Sequence, residues 1–132
     1  MYCLNNSCSL FEPFASNNDY NKTKTYLENN NLYDIENMFV LDYNFVNINK
    51  IEYFTTEFRV ENIYITSKSY NSMQYYLKNY FADCNVIILE QNLEYKTKNY
   101  VFNYVVIDSK SSMIAINNNN QFHYIYSKNA AL

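Results

Sequence analysis

The 132-residue chain has no glycine and no tryptophan, one proline (Pro13), one arginine (Arg59) and one histidine (His123). Without glycine it cannot build loops that cradle phosphate by close backbone approach, so Walker-type and dinucleotide-binding sites are excluded. Backbone positions that need φ > 0 fall to Asn or Asp. No apolar run approaches the roughly 20 residues that a membrane helix requires, and no membrane insertion is expected. The first residues, Met1-Tyr2-Cys3-Leu4, show neither a basic region followed by an apolar one nor an Arg-rich amphipathic presequence. Three cysteines, Cys3, Cys8 and Cys84, are an odd number, and a reducing compartment is the expected setting.

What the chain has in excess is asparagine, 24 residues, with 16 tyrosines and 11 isoleucines. Asn, Tyr, Ile and Phe use AT-rich codons, so an AT-biased genome explains the bias, and Asn-richness is discounted as a functional signal. Hydrophobic residues make up 48% of the chain, enough to bury a core. The net charge of −3 is unevenly spread. Residues 1–62 carry four basic and nine acidic side chains, whereas residues 63–132 carry six Lys and four acids. The second half is therefore the one more tolerant of phosphate.

Residues 1–20 read as a polar arm that needs a partner surface to become ordered. A short helix is expected around 22–30, a helical turn near 33–38 and short strands after it. From residue 62 the pattern sharpens: Ile63 and Ile65 alternate with Tyr64 and Thr66, marking a strand. Met73, Tyr76, Leu77, Tyr80 and Phe81 recur at the spacing of one helical face. Val86–Leu89, Tyr100–Ile107 and Gln121–Ser127 read as strands, Met113–Ile116 as a continuation of the sheet, and Asn117–Asn120 as a turn that supplies φ > 0. No internal repeat is apparent. The expected fold class is α+β, a mostly antiparallel sheet with one main helix. Residues 1–62 form an irregular, acidic N-terminal extension, and residues 63–132 the α+β module.

No catalytic constellation can be assembled, and the chain is expected not to be an enzyme. His123 lacks an orienting carboxylate and a nucleophile at any telling spacing. Cys3, Cys8, Cys84 and His123 could in principle form a metal site, but no paired knuckle recurs. The thiols read as small hydrophobes. Glu52, Glu57 and Glu61 read as solvated surface carboxylates. No metal or other cofactor is expected.

One constellation is more specific. A strand, Ile63-Tyr64-Ile65-Thr66-Ser67, runs into Lys68-Ser69-Tyr70-Asn71 before a helix, and Gln121-Phe122 opens the last strand, with Lys128 closing it. The interval from Lys68 to Gln121 is 53 residues. In these motifs residues 63–128 resemble the universal small-subunit ribosomal protein number ten family. Tyr104-Val105-Val106-Ile107-Asp108-Ser109 is similar to that family's strand entering an Ile-Ser-Pro-His turn. The resemblance implies an incomplete ferredoxin-like module whose sheet edge another subunit would cover, because the family adds a further helix and strand beyond this chain's last residue.

The resemblance implies a structural component of a mitochondrial small ribosomal subunit, encoded in the organelle and working in its matrix. Lys68, Lys96, Lys98, Lys110 and Lys128 would neutralise rRNA phosphates without reading sequence. The extension and the open sheet edge would meet other ribosomal proteins. Two alternatives belong to other classes. One is an accessory subunit of a mitochondrial respiratory complex, since a helix followed by a meander of strands is weakly similar to the hydrophilic thirty-kilodalton subunit of complex I. The other is a viral or parasite module that binds a host protein.

Overall fold

Ile35-Glu36-Asn37-Met38-Phe39-Val40 and Val60-Glu61-Asn62-Ile63-Tyr64-Ile65 repeat one pattern: apolar, Glu, Asn, apolar, aromatic, apolar. Each segment forms a strand, and the two strands pair in parallel with Asn37 opposite Asn62 and Phe39 opposite Tyr64. Around this pair the chain builds an α+β fold. The computed structural model describes residues 1–42, 49–108 and 111–127.

In chain order the first part runs β1 (Tyr2–Leu4), β2 (Ser7–Phe11), α1 (Asn17–Asn29), β3 (Asp34–Val40), α2 (Lys50–Glu57), β4 (Arg59–Ile65), α3 (Ser67–Ser72), α4 (Gln74–Tyr80) and β5 (Asn85–Ile88). Strands β1 to β5 lie in sequence order in one sheet. Strands β2 to β5 are parallel, and β1 folds back antiparallel on β2. The second part is a meander: β6 (Glu94–Lys96), β7 (Val101–Val106), β8 (Ser112–Asn118) and β9 (Gln121–Ser127), in that order in an antiparallel sheet.

The central parallel strands are buried on both faces, most fully β3, which fits its near-continuous apolar lettering. Met38, Val40, Ile63 and Ile65 pack against Leu27, Ile51, Phe54, Met73 and Leu77, so every helix covers the same face. On the other face Phe39 and Tyr64 pack against Phe102, Ile114 and Ile116 of the meander. The layers are helices, parallel sheet, antiparallel sheet. Phe11, Phe39 and Tyr64 stack in a row across three strands, with centroids 4.7 and 5.1 Å apart.

Local chemistry sets the element ends. Ser16 caps α1 by accepting from the Asp19 amide, and Thr66 caps α3 by accepting from the Ser69 amide. Asparagine takes the glycine role: among the described residues six of the seven with positive φ are Asn5, Asn6, Asn31, Asn92, Asn119 and Asn120. Asn5 and Asn6 make the turn between β1 and β2, and Asn119 and Asn120 the turn between β8 and β9.

Within the α+β class, several expectations are corrected. The sheet that carries the helices is mainly parallel and has helices α1 to α4, where one helix on a mostly antiparallel sheet was expected. Residues 1–62 are not an extension: β1, β2 and β3 belong to the same sheet as β4, and the 62/63 boundary falls inside β4. The first 20 residues are ordered by burial of Cys8, Leu10 and Phe14, three apolar side chains that the polar lettering around them obscures. Residues 34–40 are a strand, because the tertiary pairing with β2 and β4 overrides a weak helical pattern. The strand–helix unit repeats, although no repeat is evident at the level of whole-segment identity. Among the described residues no helix is long and apolar enough to cross a membrane.

Candidate functional site

Three places in the fold gather polar chemistry. The first is a ladder inside the parallel sheet. Asn85 Nδ2 donates to Asn62 Oδ1 at 3.1 Å, Asn62 Nδ2 to Asn37 Oδ1 at 3.2 Å, and Asn37 Nδ2 to Ser9 Oγ at 3.2 Å. The rungs are 23, 25 and 28 residues apart in sequence, one per strand–helix unit. Tyr100, the residue before β7, reaches in from the second sheet and shares a hydrogen bond with Ser9 Oγ. Burial holds the Tyr100 hydroxyl far above its ordinary pKa, so it stays protonated. Side-chain amides suit this place because each offers a donor and an acceptor along the sheet's hydrogen-bonding direction.

The second place is a cleft of about 830 Å³ over the N-terminal ends of β3, β4 and β5. Asp34, Glu36, Arg59, Glu61, Asp83 and Lys98 give it charge. Glu36 is buried and accepts from the Ser7 hydroxyl at 2.9 Å and from the Lys98 amide at 2.9 Å. Lys98 Nζ lies 3.3 Å from Glu61 Oε2. The Cys84 thiol also lines the cleft, but it donates to the Val60 carbonyl at 2.9 Å, and burial pushes its pKa up to about 11. It is therefore a neutral thiol, a poor nucleophile.

The third place is the rim at the C-terminal ends of β2, β3 and β4, the edge where open parallel sheets usually hold ligands. Glu12 sits there with φ 50° and accepts from the Leu41 and Asp42 amides through Oε1. Its other oxygen is buried without a hydrogen-bond partner, and burial raises the carboxyl pKa to about 8. The Thr66 and Ser69 hydroxyls both donate to the Leu41 carbonyl, at 3.1 and 3.2 Å. Asp42 is raised by burial, opposed by the charge of Lys68. These groups hold chain ends together. Among the described residues the two hydroxyls bond to the Leu41 carbonyl, the Ser69 amide and each other.

The lysines named from the sequence are dispersed. Lys68 is exposed in α3, past the C-terminal end of β4. Lys98 stands over the opposite end of the same strand, in its ion pair with Glu61. Lys96 is exposed at the end of β6 and borders a small cleft with Asn117–Asn120. Lys110 and Lys128 lie outside the described residues. Cys3 and Cys8 form a disulfide across the β1–β2 pair, in place of two separate thiols. Cys84 is the free cysteine, partly buried against the helix-side core. His123, on β9, packs its ring 5.2 Å from that of Tyr2. Among the described residues no three His, Cys, Asp or Glu side chains stand close enough to hold a metal ion.

The sequence reading did not single out Glu12, Tyr100 or the ladder. The signal for the ladder is present, in the two Glu-Asn pairs that precede apolar strands 25 residues apart. No protein-family model matches the chain, and no curated protein matches it significantly.

Proposed function

We propose that this chain is a non-catalytic component of a larger assembly, contributing surfaces and no chemistry. One observation carries the reading. On the outer face of the second sheet Phe122 and Tyr124 are 56% and 61% exposed. They stand beside Asn117 and Ala115 of β8, whose own neighbours across the sheet are Val101 and Asn103 of β7. Two large exposed aromatics on one flat strand face are the kind of anchor that protein interfaces bury at their centre. Met113 and Val105, paired one step along, continue the apolar surface.

Support also comes from the polar groups. The hydroxyls of Thr66 and Ser69, the thiol of Cys84 and the carboxyl of Glu36 are each engaged in holding the fold. The double substitution Phe122→Ser and Tyr124→Ser tests the reading. The variant should fold like the parent and lose its place in the native complex. A variant that keeps its place would remove the support of this face.

An rRNA-contacting component of a mitochondrial small ribosomal subunit is the narrower alternative. Its support is the exposure of Lys68, Lys96 and Lys98, together with the motif spacing of residues 63–128. Its test is affinity for RNA against salt concentration, which falls steeply when lysines displace counterions from phosphates. The accessory role in a respiratory complex and the host-protein-binding role are further special cases of the same proposal, separable by the partner recovered.

A further inference from the structure

The asparagine ladder has a direction. Asn62 Nδ2 donates both to Asn37 Oδ1 and, at 3.3 Å, to the Glu36 carbonyl oxygen, which can only accept. The Asn62 amide is thereby fixed with its oxygen towards β5, where it receives Asn85 Nδ2. Each strand donates to the one before it, so Asn85 Oδ1 is left as an acceptor at the edge of the sheet. Among the described residues nothing donates to it.

The backbone beside it is equally open. Among the described residues strand β5 pairs with β4 on one side and has no neighbour on the other. Edge strands are usually blunted by shortness, charge, proline or a bulge. At the opposite edge β1 has three residues and is tied to β2 by the Cys3–Cys8 disulfide. In the second sheet β6 carries Glu94 and Lys96. Strand β5, Asn85-Val86-Ile87-Ile88, is short at four residues but carries no charge and no proline. Ile88 is 41% exposed, and Leu93 beyond it 46%.

We propose that the β5 edge is a docking site for an extended segment of a partner protein. That segment adds as a further parallel strand and presents a side-chain amide to Asn85 Oδ1. The ladder defines the chemistry of the occupant. It needs a donor at the ladder position, which Asn or Gln supplies and Asp cannot, and apolar residues after it to cover Ile87 and Ile88. The recurring lettering of β3 and β4, Asn then apolar, aromatic, apolar, is the pattern that already satisfies this edge geometry twice within the fold. This site is distinct from the aromatic face of β9, and a purified chain tests it whether or not the native protein travels in a complex.

The experiment titrates the isotope-labelled full chain with a peptide of the sequence Arg59–Thr66, and with its N62D form, following backbone amide shifts. The Asn peptide should perturb amides of Asn85–Leu89, and the N62D peptide should bind about ten-fold more weakly, the worth of one hydrogen bond. The Asn85→Leu protein should bind the Asn peptide more weakly and no longer distinguish the two. Perturbation elsewhere, equal binding of both peptides, or no binding at about 1 mM would overturn the proposal. So would a dimer of the chain that already masks the β5 amides, since a second copy would then be the occupant.

Discussion

Tyr100 Oη and Ser9 Oγ share a buried hydrogen bond across 91 residues of sequence, joining the antiparallel meander to the second strand of the parallel sheet. Asn37 Nδ2 reaches the same two oxygens, at 3.2 Å from Ser9 and 3.4 Å from Tyr100. The three side chains form one polar node inside an otherwise aromatic seam. Tyr100→Phe keeps the ring and removes the hydroxyl, leaving Ser9 and Asn37 short of a partner. It should cost about 1–3 kcal/mol, read as a lower midpoint in urea with an unchanged slope. A neutral result would mean that the node does not hold the two sheets together.

The rungs of the ladder differ in burial, and their costs should differ accordingly. Asn37 has no exposed surface, whereas Asn85 is exposed at the sheet edge. Asn37→Ala should destabilise by about 1–3 kcal/mol, and Asn85→Ala by under about 1 kcal/mol. Equal losses at the two positions would contradict the gradient.

Helix α4 offers a test of the helix-side core. Leu77 is buried among Ile63, Ile65 and Phe81, while Lys78, one residue on, is exposed. Leu77→Ala should cost about 2–5 kcal/mol and Lys78→Ala little, measured by denaturant unfolding. Similar costs would place Leu77 outside that core.

Much of this was legible where side-chain periodicity has a single reading. The helical face of Met73, Tyr76, Leu77, Tyr80 and Phe81 is found packed on the parallel sheet, and strands β4 and β9 lie where alternation put them, β5 and β7 where apolar runs did, and β8 where the sheet was expected to continue. The expectation that Asn would serve φ > 0 matches the turns at Asn5-Asn6 and Asn119-Asn120. What was not legible follows from the same composition. Attributing the asparagines to codon bias hid Asn37, Asn62 and Asn85, which look like every other Asn until strand register brings them into line. The strand over Tyr100–Ile107 is apolar on both faces. Ile107 is exposed at the end of β7 and Val105 faces outward, and a strand apolar on both faces does not reveal which face is covered. Glu12 carries no local signal, since its role depends on Leu41 and Asp42, some 30 residues away.

Glu12 predicts how stability depends on pH. Burial raises its carboxyl from 4.5 to about 8 in the folded chain. The folded chain therefore holds the proton more tightly than the unfolded one. This stabilises the fold fully below about pH 4.5, and the advantage is lost as pH rises through 8. Each pH unit within that window removes about 1.4 kcal/mol at most. The melting temperature should fall between pH 5 and pH 9 more steeply for the parent than for Glu12→Gln, whose amide oxygen can still accept from Leu41 and Asp42. Parallel pH profiles for the two proteins would show that Glu12 is ionised in the fold.

A chain that acts through its surfaces within an assembly travels with that assembly. Sedimentation of the native protein, with and without ribonuclease and beside the Phe122→Ser/Tyr124→Ser form, tests this most directly. The parent should travel in a particle far heavier than its own 15.9 kDa, and the double variant should fall back towards the monomer. Loss of the particle on ribonuclease treatment would assign the assembly to an RNA-containing class. Parent protein sedimenting as a free monomer would contradict the account.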